Sequence, residues 1–159
     1  MIRKVVLIRH GDAENRRLGQ TDAERRLTIS GLRALQQGYP ALLEPLKGEV
    51  SDIHVWSSEA VRARETAEVA CDALGIPHDQ IEFHQSLYAQ DYDLFYGELL
   101  SADGVVVAVG HIPFMEEVSA DLANRMISFP KGSIACFEIP GGSLVHARLL
   151  WFARGPEVG

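Results

Sequence analysis

Cysteine is scarce. Cys71 and Cys136 are the only two in 159 residues, and neither stands in a C-x-x-C or other metal-ligand spacing, so no disulfide framework or zinc cluster organises the fold. Both are expected as buried thiols. No apolar run approaches the roughly 18 residues that cross a bilayer, and neither end carries a lipidation motif, so no membrane partner is expected. Basic residues are in deficit. Fifteen Lys plus Arg stand against 22 Asp plus Glu, a formal charge of -7 that repels polyphosphate backbones, and nucleic acid is not an expected partner. The chain has no Walker loop, no G-x-G-x-x-G and no G-x-S-x-G, which removes support for nucleotide-cofactor and serine-hydrolase chemistry. Met1 leads directly into an apolar run without a basic leader or cleavage site, so a cytoplasmic location is expected. The length and the absence of repeats or linkers favour one domain over residues 1–159, with Arg154 to Gly159 expected as a frayed tail.

The runs Val5 to Ile8 and Val105 to Val109 are continuously apolar, as befits strands covered on both faces. Ile53 to Trp56 and Ile81 to Phe83 read as two further strands. Between them lie helical patterns. Thr28 or Ser30 caps a helix through Leu32, Leu35, Tyr39, Leu42, Leu43 and Leu46, which Pro40 is expected to divide into two pieces. Ser58 to Leu74 repeats Ala63, Ala67, Ala70 and Leu74 at helical spacing and stops at Gly75. A third helix is expected from Pro113 to about Arg125, with Glu116 and Glu117 in its first turn. Ser133 to Ile139 and Leu144 to Phe152 then read as a hairpin turning at Pro140-Gly141-Gly142-Ser143. The expected fold is α/β: a three-layer α/β/α sandwich with a mainly parallel sheet, helices on both faces and a late antiparallel hairpin.

In such sheets ligands bind beyond the carboxyl ends of the strands. Arg9-His10-Gly11 follows the first strand, Gly110-His111-Ile112-Pro113 follows the run Val105 to Val109, and Ser57-Ser58 opens the helix bearing Arg62. Two imidazoles and two guanidiniums on one edge supply what phosphoryl transfer needs: a nucleophile, and fixed positive charge around the equatorial oxygens. His10 is the candidate nucleophile, aimed by a bond from its other ring nitrogen to a backbone carbonyl that Gly11 allows close. Arg9 and Arg62 would clamp phosphate oxygens, His111 would add a cationic donor if protonated, and the Ile112 amide would complete the anion site. Blander roles are available to each residue alone. Arg62 could pair with Glu59 or Glu65 on a solvated helix face, and His111 could serve only to start a helix. A rival metal site from His10, Asp12 and His111 is opposed by the flanking arginines. His54, His78, His84 and His146 read as surface or core histidines.

The chain resembles the histidine phosphatase, or phosphoglycerate mutase-like, superfamily. The resemblance is carried by Leu7-Ile8-Arg9-His10-Gly11-Asp12-Ala13-Glu14, Leu27-Thr28 with Gly31, Ser57-Ser58 with Arg62-Ala63 and Thr66, and Gly110-His111-Ile112-Pro113, in family order. Its small size, Leu87-Tyr88-Ala89 and Gly132-Ser133-Ile134-Ala135 are similar to the short SixA-type phosphohistidine phosphatases. The resemblance implies His10 as the phosphorylated nucleophile, with Arg9, Gly11, Arg62, His111 and Ile112 forming the phosphate pocket, and it implies no metal or other cofactor. Many relatives carry a glutamate general acid after the third strand. Here that stretch reads Gln85-Ser86-Leu87-Tyr88-Ala89-Gln90-Asp91, which favours a phosphohistidine leaving group over an ester oxygen, with Asp91 or Asp12 as substitute acids. Arg16, Arg17, Arg25 and Arg26 in the long Glu14 to Arg26 loop could extend the positive rim, or the loop could simply be solvated. The implied partner is a phosphohistidine-bearing protein. The alternatives are a small phosphate ester as substrate, or a noncatalytic phosphate-binding module.

Overall fold

The computed structural model describes residues 1–158. Six strands form one sheet in the order β3-β2-β4-β1-β5-β6. The strands are β1 (Ile2–Arg9), β2 (Ile53–Ser57), β3 (Glu82–Phe83), β4 (Gly104–Gly110), β5 (Ile134–Glu138) and β6 (Arg148–Ala153). β1, β4, β2 and β3 run parallel, whereas β5 pairs antiparallel with both β1 and β6. The helices are α1 (Ile29–Leu42), α2 (Val61–Leu74), α3 (Gln85–Ala89), α4 (Tyr92–Leu100) and α5 (Phe114–Ala123).

Alternation along the two central strands divides the core between the two faces of the sheet. Val6, Ile8, Val107 and Val109 pack with Leu35 and Tyr39 of α1 and with Ala63, Ala67 and Ala70 of α2. Val5, Leu7, Val106 and Ala108 pack on the opposite face with Phe95 and Leu99 of α4 and with Phe114 and Val118 of α5. Each such side chain contributes about 1.5–3 kcal/mol on burial, and neither Val5 to Ile8 nor Val105 to Val109 turns a polar side chain inward. The expected three-layer α/β/α sandwich is the fold. Among the described residues no helix is long and apolar enough to cross a membrane.

Several elements differ from the expected pattern. α1 runs unbroken through Pro40, because the proline sits in the last turn, where it forfeits one helical bond and the chain leaves the helix at Leu42. Leu46 then falls in a separate 3-10 segment, Glu44–Asp52. α2 begins at Val61, inside the expected start at Ser58, and α5 begins at Phe114, directly after the expected Pro113, which serves as the N-cap. The turn after β5 is longer than a tight reversal: Pro140–Gly142 and Leu144–His146 each form a 3-10 turn before β6 starts at Arg148. β3 has only two residues. α3 and α4 were not expected. Asp91 caps α4 through the Leu94 amide, and the buried i,i+4 pair Phe95 and Leu99 gives the helix its inward face. The tail is packed up to Pro156 rather than frayed: the Gly155 amide donates to Ser133 Oγ, and Pro156 lies against Gly38 of α1. Gly159 lies outside the described residues.

Candidate active site

The register of the central pair brings the two histidines together. Arg9 at the end of β1 pairs with Gly110 at the end of β4, so the next residue on each strand, His10 and His111, emerges side by side. Their ring centroids are 5.2 Å apart with planes inclined by 62°. β2 pairs with β4 at Ser57 and Val109, which sets Ser58 beside the same edge and starts α2 with Arg62 in its first turn. His10, Arg62 and His111 are 8%, 5% and 6% exposed, a degree of burial that polar side chains keep only when paired.

Each pairing is specific. His10 Nδ1 lies 2.8 Å from the Gly11 carbonyl oxygen. That oxygen can only accept, so Nδ1 carries the proton and Nε2 keeps its lone pair. Nε2 meets Arg62 Nε at 3.3 Å. Arg62 also donates from Nη1 to the Asp22 carbonyl at 2.8 Å and from Nη2 to Asp22 Oδ2 at 3.0 Å, and its Nη2 is 3.4 Å from His111 Nδ1. His111 Nε2 is 2.8 Å from Ser58 Oγ, a hydroxyl that can donate or accept and therefore supports either tautomer. Arg9 donates from Nη1 to the Phe129 carbonyl, while its Nε has no hydrogen-bond partner among the described residues.

Burial, assisted by the neighbouring cations, holds both imidazoles neutral. Desolvation lowers His10 from 6.5 to about 3; the Gly11 bond opposes the shift, while His111, Arg62 and Arg9 reinforce it. Desolvation and then Arg62 lower His111 to about 4. His111, a cationic donor only if protonated, is held well below the ordinary histidine value in this pocket by burial and by Arg62. As the pH falls below the ordinary histidine value near 6.5, the unfolded chain takes up protons that the folded site refuses. These two residues therefore remove stability between about pH 6.5 and the folded values of about 3 and about 4. Urea midpoints should fall with decreasing pH across that window. His10→Gln should lose part of the slope, which is at most about 1.4 kcal/mol per pH unit for each histidine. A midpoint independent of pH in wild type would contradict the assigned protonation.

Arg9, His10, Arg62, His111 and Ile112 line one cavity of roughly 490 Å³, together with Ala13, Asn15, Asp22, Arg25, Tyr88, Gln90 and Lys131. Gly11 does not line it. Its amide donates to Thr66 Oγ1 and its carbonyl holds His10, so it positions the imidazole rather than touching a ligand. Nor does Gly11 need an unusual φ; what it provides is space, since a Cβ there would lie 2.8 Å from Leu35 Cδ1. Of the loop arginines only Arg25 reaches the cavity: Arg17 pairs with Glu14, and Arg26 with Glu65. Arg62 pairs with Asp22 and not with Glu59 or Glu65.

Neither expected substitute acid is available. Asp91 caps α4, and the Asp12 carboxylate is held by Lys131 and Thr28. That engagement of Asp12 also dismantles the rival metal set, and among the described residues no three His, Cys, Asp or Glu side chains are grouped to hold a metal ion. Cys71 and Cys136 are free and buried, with desolvation raising their thiols to about 11 and about 12. The other histidines lie elsewhere; His84, for example, stacks on Trp56 and bonds Glu98. Two further residues join the site without a signal in the sequence that marked them as functional, Asp22 and Tyr88. Tyr88 donates from its hydroxyl to Asp22 Oδ2 at 3.1 Å, and its ring meets His111 edge-on.

Fold and cavity define a three-layer α/β protein with paired histidines and arginines at the carboxyl edge of a parallel sheet. Residues 5–98 match the model of the histidine phosphatase superfamily (branch 1), and the chain belongs to that superfamily. Among solved structures it is similar to the protein histidine phosphatase SixA complexed with tungstate, at 24% identity and a TM-score of 0.78 over 95% of this chain and 96% of that one. It is similar as well to the SixA-assigned protein of Nakamurella multipartitia, at 26% identity and a TM-score of 0.72 over 96% of both chains. A mycobacterial glucosyl-3-phosphoglycerate phosphatase shares the fold at 16% identity and a TM-score of 0.66, over 98% of this chain and 99% of that one.

Proposed function

We propose that the protein hydrolyses phosphohistidine on a protein partner by two in-line displacements at His10. The observation that carries this reading is the orientation of one neutral imidazole: Nδ1–H is fixed on the Gly11 carbonyl, and Nε2 meets Arg62 within the cavity. In the first displacement Nε2 attacks phosphorus and the P–N bond of the substrate breaks, its electron pair returning to the leaving imidazole. Arg9, Arg62 and His111 surround the equatorial oxygens, with the guanidiniums supplying the positive charge. In the second displacement water attacks the phospho-His10 intermediate and releases orthophosphate.

The choice of a nitrogen leaving group is supported by what the segment after β3 contributes. An alkoxide leaves well only when an acid protonates it, and here Tyr88 reaches the cavity where a carboxylic acid would be useful. Among the described residues Asp22 is the only carboxylate lining the cavity. Burial would raise its pKa, yet Arg62, Tyr88 and Arg25 hold it at about 2, so it has no proton to give near neutrality. Structural neighbours described as SixA phosphohistidine phosphatases point the same way. Parallel turnover measurements on a phosphohistidine-bearing protein and on an alkyl phosphate monoester test the assignment. The expected result is a kcat/KM at least about tenfold higher for the P–N substrate. Preferential ester turnover would identify a small-molecule phosphomonoesterase, and no turnover of either would identify a binding module.

A further inference from the structure

Asp22 is a paradox in a pocket built for anions. Its carboxylate bonds the outer edge of the same guanidinium whose Nε meets the nucleophile, with Nη2 to Oδ2 at 3.0 Å. Tyr88 and Arg25 hold the two oxygens as well, yet the side chain is 46% exposed and faces the cavity. Arg62 therefore spans from His10 to Asp22. In an in-line displacement the entering and leaving atoms lie on opposite sides of phosphorus. With His10 entering from the strand end, the leaving group departs toward the open side of the cavity, whose lining includes Asp22 and Tyr88.

We propose that Asp22 is a specificity-determining residue that selects phosphoramidates with a protonated leaving group over phosphate esters. The inference rests on the hydrolase reading above and narrows its substrate class. For an ester dianion, a fixed carboxylate beside the phosphoryl group is repulsive and gives nothing in return. A phosphoimidazole protonated on its distal nitrogen presents a cationic ring, and its N–H can donate to Asp22 while the ring lies against Tyr88.

The step balances without further reagents. Neutral His10 attacks through Nε2, the P–N bond breaks, and the distal proton stays on the departing ring, which leaves as neutral imidazole. The positive charge passes to the phosphorylated His10 ring, whose Nδ1–H remains on Gly11. Asp22 supplies no proton. Its charge makes the protonated, better-leaving form of the substrate the form that binds.

Asp22→Asn tests this in the full chain, because the amide keeps the shape and Arg62 keeps its bond to the residue 22 carbonyl. Initial rates are measured with phosphoimidazole and with p-nitrophenyl phosphate, alongside inhibition by orthophosphate. The expected result is a fall in phosphoimidazole kcat/KM on the order of tenfold or more, a rise in ester turnover, and tighter orthophosphate inhibition. Asp22→Glu, which restores the charge, should recover much of the preference. If both substrates fall together and orthophosphate binds more weakly, Asp22 merely props Arg62 and the proposal is overturned, while the phosphohistidine reading stands. If wild type turns over the ester but neither phosphoimidazole nor a phosphohistidine-bearing protein, the phosphohistidine reading fails and this proposal fails with it.

Discussion

Replacing His10 by alanine is expected to reduce turnover by at least about 10⁴-fold, because the nucleophile and with it the covalent route disappear. Acid-quenched mixtures with a labelled phosphodonor should show an acid-labile, base-stable protein label in wild type and none in the variant. The fold should survive. His10 is buried, but its ring bonds are local: Nδ1 to the adjacent Gly11 carbonyl and Nε2 to Arg62, which keeps its two bonds to Asp22. Retained turnover in a correctly folded His10→Ala protein would remove the proposed nucleophile.

The second large effect is at Arg62. It is the hub of the pocket, bonded to His10, Asp22 and His111, and it is almost wholly buried. Arg62→Ala takes away the planar fork that stabilises the equatorial oxygens and leaves Asp22 without its main cation, so kcat should fall by about 10²–10³-fold. Arg62→Lys retains charge without the fork and should lose at least about tenfold. Removing the Arg62 charge also relieves one of the influences that depress His10, so the His10 pKa should move upward in Arg62→Ala, measurable by NMR titration of the ring. An unchanged His10 titration would mean that burial alone sets it.

The sheet and the placement of the two histidines were legible because they follow from short-range signals. Val5 to Ile8 and Val105 to Val109 are apolar without a break, which only strands covered on both sides require, and His10 and His111 each follow such a run. Arg62 was legible through the helix start after Ser57-Ser58. What escaped depended on tertiary packing. Pro40 looks like a break until its place in the final turn is known. α3 and α4 are short, and Gln90 in a left-handed conformation separates them, so neither offers a long periodic stretch. Asp22 lies in a loop with no periodicity, and its bonds to Arg62 and Tyr88 cross 40 and 66 residues. A carboxylate in a three-residue 3-10 turn looks solvated in sequence. The charge state of His111 was equally out of reach, since burial and not neighbouring sequence sets it.

A crystal structure with orthovanadate bound tests the central claim most directly, because vanadium adopts the trigonal bipyramid of the phosphoryl-transfer transition state. The account predicts a bond from vanadium to Nε2 of His10 along the axis, with Arg9, Arg62 and His111 on the equatorial oxygens and the second axial ligand toward Asp22. Vanadate bound away from Nε2, or seated with Asp22 behind it and His10 at the mouth, would contradict it.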